Sequence, residues 1–266
     1  MMEGDQPRWT SEQEFFDHEA YSEEPIPQDI IDRYVACRHP FTPAEYPFWV
    51  LGDVRGKRIF DLGCGDGTNS VLLALKGAHV VAVDISPRAI EIAKNRARLH
   101  GVEGRAEFHA SPLETYLGQA GGKFDIICGF AILHHLLPVL DSVLDDLKKL
   151  AHSQTVYMFT EPVALSAGLR KLRLMLPIPV HGTPDESPLR ARDLELILQR
   201  LPGAEVRLSH FLLRFWDRFI TGRYRDYSPL RRAIYHSLCH LDRGILSIPD
   251  LGILGSSSVI LSRPAR

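Results

Sequence analysis

The segment Asp61-Leu62-Gly63-Cys64-Gly65-Asp66-Gly67 follows a short apolar run and precedes a helical stretch. Glycines at such a turn let a ligand approach the backbone closely. Two ligand classes use turns of this kind. A dinucleotide turn requires G-x-G-x-x-G, and here the third glycine position falls on Thr68. Asp61 would also stand beside a pyrophosphate, which a carboxylate repels. A ligand that carries a cation and no phosphate tolerates that acid. S-adenosylmethionine, with an ammonium and a sulfonium, is such a ligand. A second acid, Asp84, lies about twenty residues beyond the turn, where a carboxylate can accept from both ribose hydroxyls of either ligand. Its other reading is a helix-capping acid, a role for which Ser86 already stands in place.

These residues need strands and helices to hold them. Residues 58–62, 79–84, 106–110, 124–128 and 155–159 are short apolar runs that read as buried strands. Between them, 68–76 reads as a helix ended by Gly77. Ser86 followed by Pro87 starts a second helix, which reaches about His100 before Gly101. Residues 138–151 form a third, with Leu140, Val143, Leu144 and Leu147 on one face. This alternation predicts a parallel sheet covered on both faces. After Glu161-Pro162 the pattern breaks, and residues 163–190, with Pro177, Pro179, Pro184 and Pro188, read as an insertion or lid. A helix over 191–201, a strand over 204–213, an aromatic and arginine-rich stretch over 214–254 and a last strand over 257–262 follow. The expected organisation is an N-terminal helical cover, 1–50, and one α/β domain, 51–266, with insertions at 163–190 and 214–254.

Taken together, Asp61-x-Gly63-x-Gly65-x-Gly67, Val83-Asp84-Ile85-Ser86 and Phe124-Asp125-Ile126-Ile127 resemble the class I S-adenosylmethionine-dependent methyltransferases. Order and spacing agree from about Lys57 to Pro162. Gly129-Phe130-Ala131-Ile132-Leu133-His134-His135-Leu136 is similar to the fourth motif of small-molecule members. The resemblance implies a Rossmann-like, seven-stranded, mostly parallel sheet with helices on both faces and the last strand antiparallel. It implies that Asp61 and Gly63 hold the methionine end of the cofactor, with Gly65 close to it. Asp84 then takes the ribose and Ile85 packs on the adenine. Ser111 stands where an acid usually meets the adenine amino group, and carbonyls near Gly129 and Phe130 accept the ammonium.

Methyl transfer from a sulfonium is an in-line displacement, so alignment dominates. A base is needed only for a hydroxyl or a protonated nitrogen. His134, then His135, are the first candidates because imidazole titrates near neutrality. Glu161 is the next, and His181 could reach an acceptor from the proline-rich stretch. Each also has a plain structural reading, as a packed histidine or an ordinary loop residue. The chain lacks the Asn/Asp-Pro-Pro-aromatic motif of amino-group methylases acting on bases, which leaves small-molecule acceptors. Aromatic and aliphatic residues in the three covering stretches, among them Phe15, Phe16, Tyr21, Tyr34, Tyr46, Leu172, Met175, Phe215, Trp216, Tyr224 and Tyr227, suit a partly apolar acceptor. O-methylation is the preferred reading, with N- and C-transfer open. The alternatives are a non-catalytic S-adenosylmethionine-binding protein of the same fold and, less favoured, a nicotinamide dehydrogenase.

Composition sets the outer limits. With 266 residues and 45% hydrophobic content the chain can bury one sizeable core. A net charge of −2 does not suggest a nucleic-acid partner. The absence of an 18-residue apolar run or a basic-then-apolar start leads to the expectation of a cytoplasmic protein without stable membrane insertion. Cys37, Cys64, Cys128 and Cys239 are far apart, as reduced thiols rather than disulfides or zinc ligands, and no metal is expected. Charge is uneven: eleven acids and three bases in residues 1–50 give −8, whereas nine arginines and four aspartates in 213–266 give +5. The two ends either face each other, are simply solvated, or let the basic end receive an anionic acceptor. Arg170, Lys171 and Arg173 form either a solvated basic helix face or part of a mobile lid whose cations meet an anionic group or a membrane surface.

Overall fold

Successive residues of the central strand are buried on opposite sides. In β1 (Arg58–Leu62), Ile59 enters one apolar cluster while Phe60 and Leu62 enter another. A strand buried on both faces belongs in the middle of a covered parallel sheet. The computed structural model describes residues 5–18, 21–37, 40, 42–168, 171, 187–201, 203–219 and 224–264. Among them, seven strands lie in the order β3-β2-β1-β4-β5-β7-β6. The others are β2 (His79–Asp84), β3 (Ala106–Ala110), β4 (Phe124–Phe130), β5 (Ala151–Pro162), β6 (Ala204–Ser209) and β7 (Ser257–Ser262). Pairing is parallel from β3 through β5, and β7 is antiparallel to both of its neighbours. The sheet is therefore the Rossmann-like one expected, six strands in one direction and the last reversed.

Helices α4 (Thr68–Leu75) and α5 (Pro87–Leu99) cover one face with Val71, Leu72, Ile90 and Ala93. Phe48 of α3 (Tyr46–Val50) extends that cluster. The other face carries α6 (Leu113–Gln119), α7 (Leu140–Lys149) and α8 (Ala191–Arg200). Each fully buried aliphatic side chain contributes roughly 1.5–3 kcal/mol, so these two layers dominate the stability. The start of α5 is as expected, with the Ser86 hydroxyl accepting from the Ala89 N–H at 3.0 Å. Before the sheet come α1 (Asp5–Asp17) and α2 (Gln28–Val35).

Several boundaries differ from the sequence reading, each for a physical reason. Helix α6 was not expected, because seven residues with only Leu113 and Leu117 buried are too short for a periodic signal. Strand β5 runs from Ala151 to Pro162 instead of over 155–159, since its ladder with β7 continues to Pro162. Strand β6 ends at Ser209 rather than 213. There His210 takes φ 63°, and the buried Asp242 carboxylate accepts from the N–H groups of Phe211, Leu212 and Leu213. Those bonds start α9 (Leu212–Phe219), which α10 (Pro229–Leu246) follows. At the insertion, Val163 and Leu189 form a parallel bridge. Arg170, Leu172, Arg173, Met175, Pro177, Pro179, His181 and Pro184 lie outside the described residues. Among the described residues no helix is long and apolar enough to cross a membrane.

Gly67 joins the glycine turn to α4 at φ 74°, and a Cβ there would lie 2.5 Å from Ala93 Cβ on α5. We expect Gly67→Ala to lower the unfolding free energy by about 2 kcal/mol or more, strain and overpacking together. Gly101, at φ 65° with open space around it, is the control. Gly101→Ala should lose only about 1 kcal/mol. Equal losses in urea unfolding would show that contact with α5 is not the cause.

Candidate active site

The chain leaves β1 towards β2 on one side, while β4 lies on the other. Loops at the carboxyl ends of two such strands diverge and leave a crevice. A cavity of about 350 Å³ occupies it, within the range of small-molecule sites. Gly63 and Gly65 of the turn, Asp84 and Ile85 at the end of β2, and Ser111 beyond β3 line it. From beyond β4 come Phe130, Ile132, His134 and His135. Of the cofactor and base candidates among the described residues, eight therefore share one wall, and Asp61, Gly129 and Glu161 do not.

The turn is held from two directions. Gly63 has φ 60°, and a Cβ there would lie 2.5 Å from Ile132 Cδ1, so only glycine fits beneath that side chain. Gly65 has φ 52° and no atom within 4 Å of a Cβ position, so its backbone is open towards a ligand. Its N–H donates to Asp84 Oδ2 at 2.7 Å, and the Ser86 N–H donates to Oδ1 at 2.9 Å. Burial pushes the Asp84 carboxyl up, and those two N–H groups pull it back. Asp61 lies behind the turn, where Ser70 Oγ donates to its Oδ2 at 2.5 Å and Cys128 Sγ is 3.9 Å from Oδ1. Complete burial pushes its carboxyl pKa up to about 7. Asp61 thus stands behind the turn and off the cavity wall. Gly129 is also off the wall, because Ile132 Cγ2 would stand 2.5 Å from its Cβ position.

After β4 the chain forms a 3₁₀ turn, Leu133–His135, on a carboxylate from the neighbouring strand. The Glu161 side chain is 0% exposed. Its Oε1 accepts from the N–H groups of Ile132 at 3.0 Å and Leu133 at 2.8 Å. Oε2 accepts from the His134 N–H at 3.3 Å and stands 2.9 Å from His134 Nδ1. A carboxylate that gathers three backbone N–H groups is an acceptor, so Nδ1 carries the proton and Nε2 is the basic nitrogen. Glu161 is thus buried off the cavity wall and holds the His134 ring in place. His135, its ring 4.1 Å from that of His134, is pushed down to about 3 by burial and then by His134. It is a neutral imidazole near neutral pH.

Residues 53–183 match the family model of a methyltransferase domain. Together with the sheet order, the match marks this stretch as a Rossmann-like methyltransferase domain. Over 106 residues the chain is 39% identical to a magnesium-protoporphyrin O-methyltransferase of Rhodobacter capsulatus, covering 40% of this chain and 46% of that protein. It is 33% identical over 149 residues to a mitochondrial ubiquinone biosynthesis O-methyltransferase of Schizosaccharomyces pombe, 54% of each. The chain thus spans about half the length of these two curated relatives. Among solved structures, magnesium protoporphyrin IX methyltransferase of Synechocystis with bound S-adenosylhomocysteine superposes with TM-score 0.51 at 15% identity, covering 97% of this chain and 100% of that one. A geranyl diphosphate C-methyltransferase of Streptomyces coelicolor gives TM-score 0.59 at 11% identity, covering 97% and 98%. At these identities the two structures show a shared fold.

Four wall residues escaped the sequence reading: Trp9, Glu12, Leu113 and Glu114. Helix α1 shows no continuous apolar stripe, so nothing local marked its position. Helix α1 is nevertheless clipped over the cavity. Trp9 Nε1 donates to Glu114 Oε1 at 3.5 Å, Ser86 Oγ donates to Asp17 Oδ1 at 2.5 Å, and the Phe16 ring meets His135 edge-on at 5.4 Å. Glu114 brings an acid to the wall one helical turn past Ser111. Its available signal was an acid in the first turn after Pro112. Beyond Phe130 lies a second cavity, of about 250 Å³, with Phe48, Asn69, Thr160 and His210 in its lining. The Phe48 and Phe130 rings stack there at 5.7 Å.

Asp61 gives this domain a defined pH signature. Between its ordinary value of 3.8 and about 7 the folded state holds the proton more tightly than the unfolded chain. Its contribution to stability therefore falls as pH rises through that window. Asn at this position is neutral throughout. Urea unfolding should show Asp61→Asn gaining on the wild type between pH 5 and pH 8, while its S-adenosylhomocysteine dissociation constant rises. A stability difference that stays flat with pH would mean that Asp61 does not titrate there.

Proposed function

We propose that this domain transfers a methyl group from S-adenosylmethionine to a hydroxyl of a small, partly apolar acceptor. The observation that carries the reading is the buried Glu161–His134 pair, which brings an oriented imidazole to the wall of the cofactor-sized cavity. The wall fits the cofactor part by part. The open Gly65 backbone suits the methionine part, Asp84 the ribose, and Val83, Ile85 and Leu113 the adenine. Ser111 or Glu114 can meet the adenine amino group, and the carbonyl of Phe130 the ammonium. Asp61, behind the turn, offsets positive charge. S-adenosylmethionine supplies an activated methyl group on a sulfonium, so the protein's task is alignment and proton removal.

His134 Nε2 takes the hydroxyl proton as the acceptor oxygen aligns with the methyl carbon. Glu161 stabilises the imidazolium so formed and acts as a positioning residue. His135 stays neutral and adds no second charge beside the sulfonium. The N-terminal helices serve as the cover, with Trp9 and Phe16 limiting water at the cavity. Phe48 and Phe130 suit an apolar part of the acceptor in the second cavity. Hydroxyl transfer is further supported by the two curated relatives, both named O-methyltransferases.

Asp84→Ala should weaken S-adenosylhomocysteine binding by about 1–3 kcal/mol, because it leaves two ribose hydroxyls and the Gly65 N–H without their acceptor. An unchanged calorimetric titration would remove Asp84 from cofactor binding. His134→Ala should lower turnover roughly 10²–10⁴-fold at neutral pH and leave cofactor affinity unaltered. The deficit should shrink at high pH, where the hydroxyl ionises without help. Superimposable pH–rate profiles for the two proteins would leave alignment alone as the mechanism, as for transfer to an already nucleophilic carbon.

A further inference from the structure

The register of the sheet builds a polar floor beyond Phe130. Partnered residues of neighbouring strands carry their side chains on the same face. Phe130 pairs with Thr160, and Thr160 with Val259. Ser257, two residues before Val259 and so on the same face, pairs with Ser209. All five line the second cavity, together with Asn69 of α4 and with His210. Among the described residues, the Asn69 amide and the Thr160 and Ser257 hydroxyls make no hydrogen bond. Nor, among those residues, does any charged side chain line the cavity. Uncommitted and uncharged hydrogen-bonding groups beside the Phe48 and Phe130 rings suit an uncharged ligand with polar atoms.

His210 is held at this wall in a conformation that few side chains take. Among the described residues only two other than glycine have positive φ, Ala131 at 60° and His210 at 63°. Ala131 lines the first cavity and His210 the second. Residues kept in sparsely populated conformations cluster at ligand sites. Glycine would occupy the position with less strain but would bring no imidazole. The surroundings fix the backbone on both sides. Ser256 Oγ donates to the His210 carbonyl at 2.5 Å, and the Ser256 N–H to the Ser209 carbonyl at 2.9 Å. Asp242 accepts from the three N–H groups that follow. In the ring, Nδ1 stands 2.9 Å from Ser209 Oγ, and Nε2 makes no hydrogen bond among the described residues. Burial, and then Arg214, push the imidazole down to about 4, so the ring is neutral near neutral pH. A neutral ring presents Nε2 as donor or as acceptor, because the Ser209 hydroxyl can turn to complement either tautomer.

We infer that the second cavity is a subsite for an uncharged oxygen of the acceptor, a hydroxyl or carbonyl other than the one methylated, and that His210 Nε2 is the atom that reads it. This rests on the acceptor reading proposed above and adds a preference to it. A carboxylate or phosphate seated there would lose its hydration and meet no cation. A purely hydrocarbon group would leave His210 Nε2, Asn69, Thr160 and Ser257 without partners. His210 thereby selects the acceptor and takes no part in the transfer step.

The test is calorimetry and histidine-ring NMR on the full chain saturated with S-adenosylhomocysteine, with phenol, benzoate and toluene as probes. We expect phenol to shift the His210 ring resonances and to bind roughly three- to tenfold more tightly than either other probe. Asparagine tolerates the left-handed backbone, so His210→Asn should lose that preference and retain its melting temperature and S-adenosylhomocysteine affinity. Thr160→Val, close in shape, should give a smaller loss in the same direction. Phenol that leaves the His210 ring unshifted, equal binding of the three probes, or a preference that survives His210→Asn overturns the subsite. The two readings fail separately. Turnover that needs His134, with phenol binding indifferent to His210, keeps the transfer reading and removes the subsite. Phenol binding that depends on His210, in a protein that methylates no hydroxyl, keeps the subsite as a ligand site and removes the transfer reading.

Discussion

One buried carboxylate organises the cavity end of this molecule. Glu161 sits at the end of β5, and the N–H groups of Ile132, Leu133 and His134 and the His134 ring all converge on it. A carboxylate without access to water is tolerable only when hydrogen bonds replace its hydration, and these four do so. The arrangement needs β4 and β5 to be parallel neighbours in register, with Phe130 opposite Thr160. Sheet pairing, loop conformation and imidazole tautomer are thus one linked constraint. Loss of the carboxylate would leave the donors of the 3₁₀ turn orphaned together.

The same device recurs around the sheet. Asp84 accepts from Gly65 and Ser86, and Asp242 accepts from Phe211, Leu212 and Leu213. In each case an acid on a neighbouring element supplies acceptors to a loop that cannot satisfy its own N–H groups. Asp61 differs in kind. Its donors are a hydroxyl and a thiol, and with so little to stabilise its charge it is held at about 7. The site therefore combines acids that shape the backbone with one whose ionisation can respond to a cation bound on the far side of the glycine turn.

Features of short range were legible in the sequence. The strands flanking the glycine turn, the Ser86–Pro87 helix start and Asp84 at its strand end depend on neighbours a few residues apart. What escaped is set by distance along the chain. Glu161 reads as a loop acid until β5 is placed beside β4. The stop of β6 at Ser209 is imposed by Asp242, more than thirty residues later. Helix α1 lacks a continuous apolar face, yet Trp9, Asp17 and Phe16 each find a partner on a different element. Its position is decided by three separate contacts that no periodicity encodes.

The bridge between Val163 and Leu189 bears on how such a protein can change over time. The Ala164 N–H donates to the Leu189 carbonyl and the Leu189 N–H to the Pro162 carbonyl, so the chain departs from the sheet and returns to it at a single point. Segments that begin and end together can lengthen at little thermodynamic cost, about 0.6 kcal/mol per doubling of a flexible loop. The span between these two residues is thus a splice site in the architecture. Its length and composition can change while the strand order, the glycine turn and the Glu161 hub stay untouched.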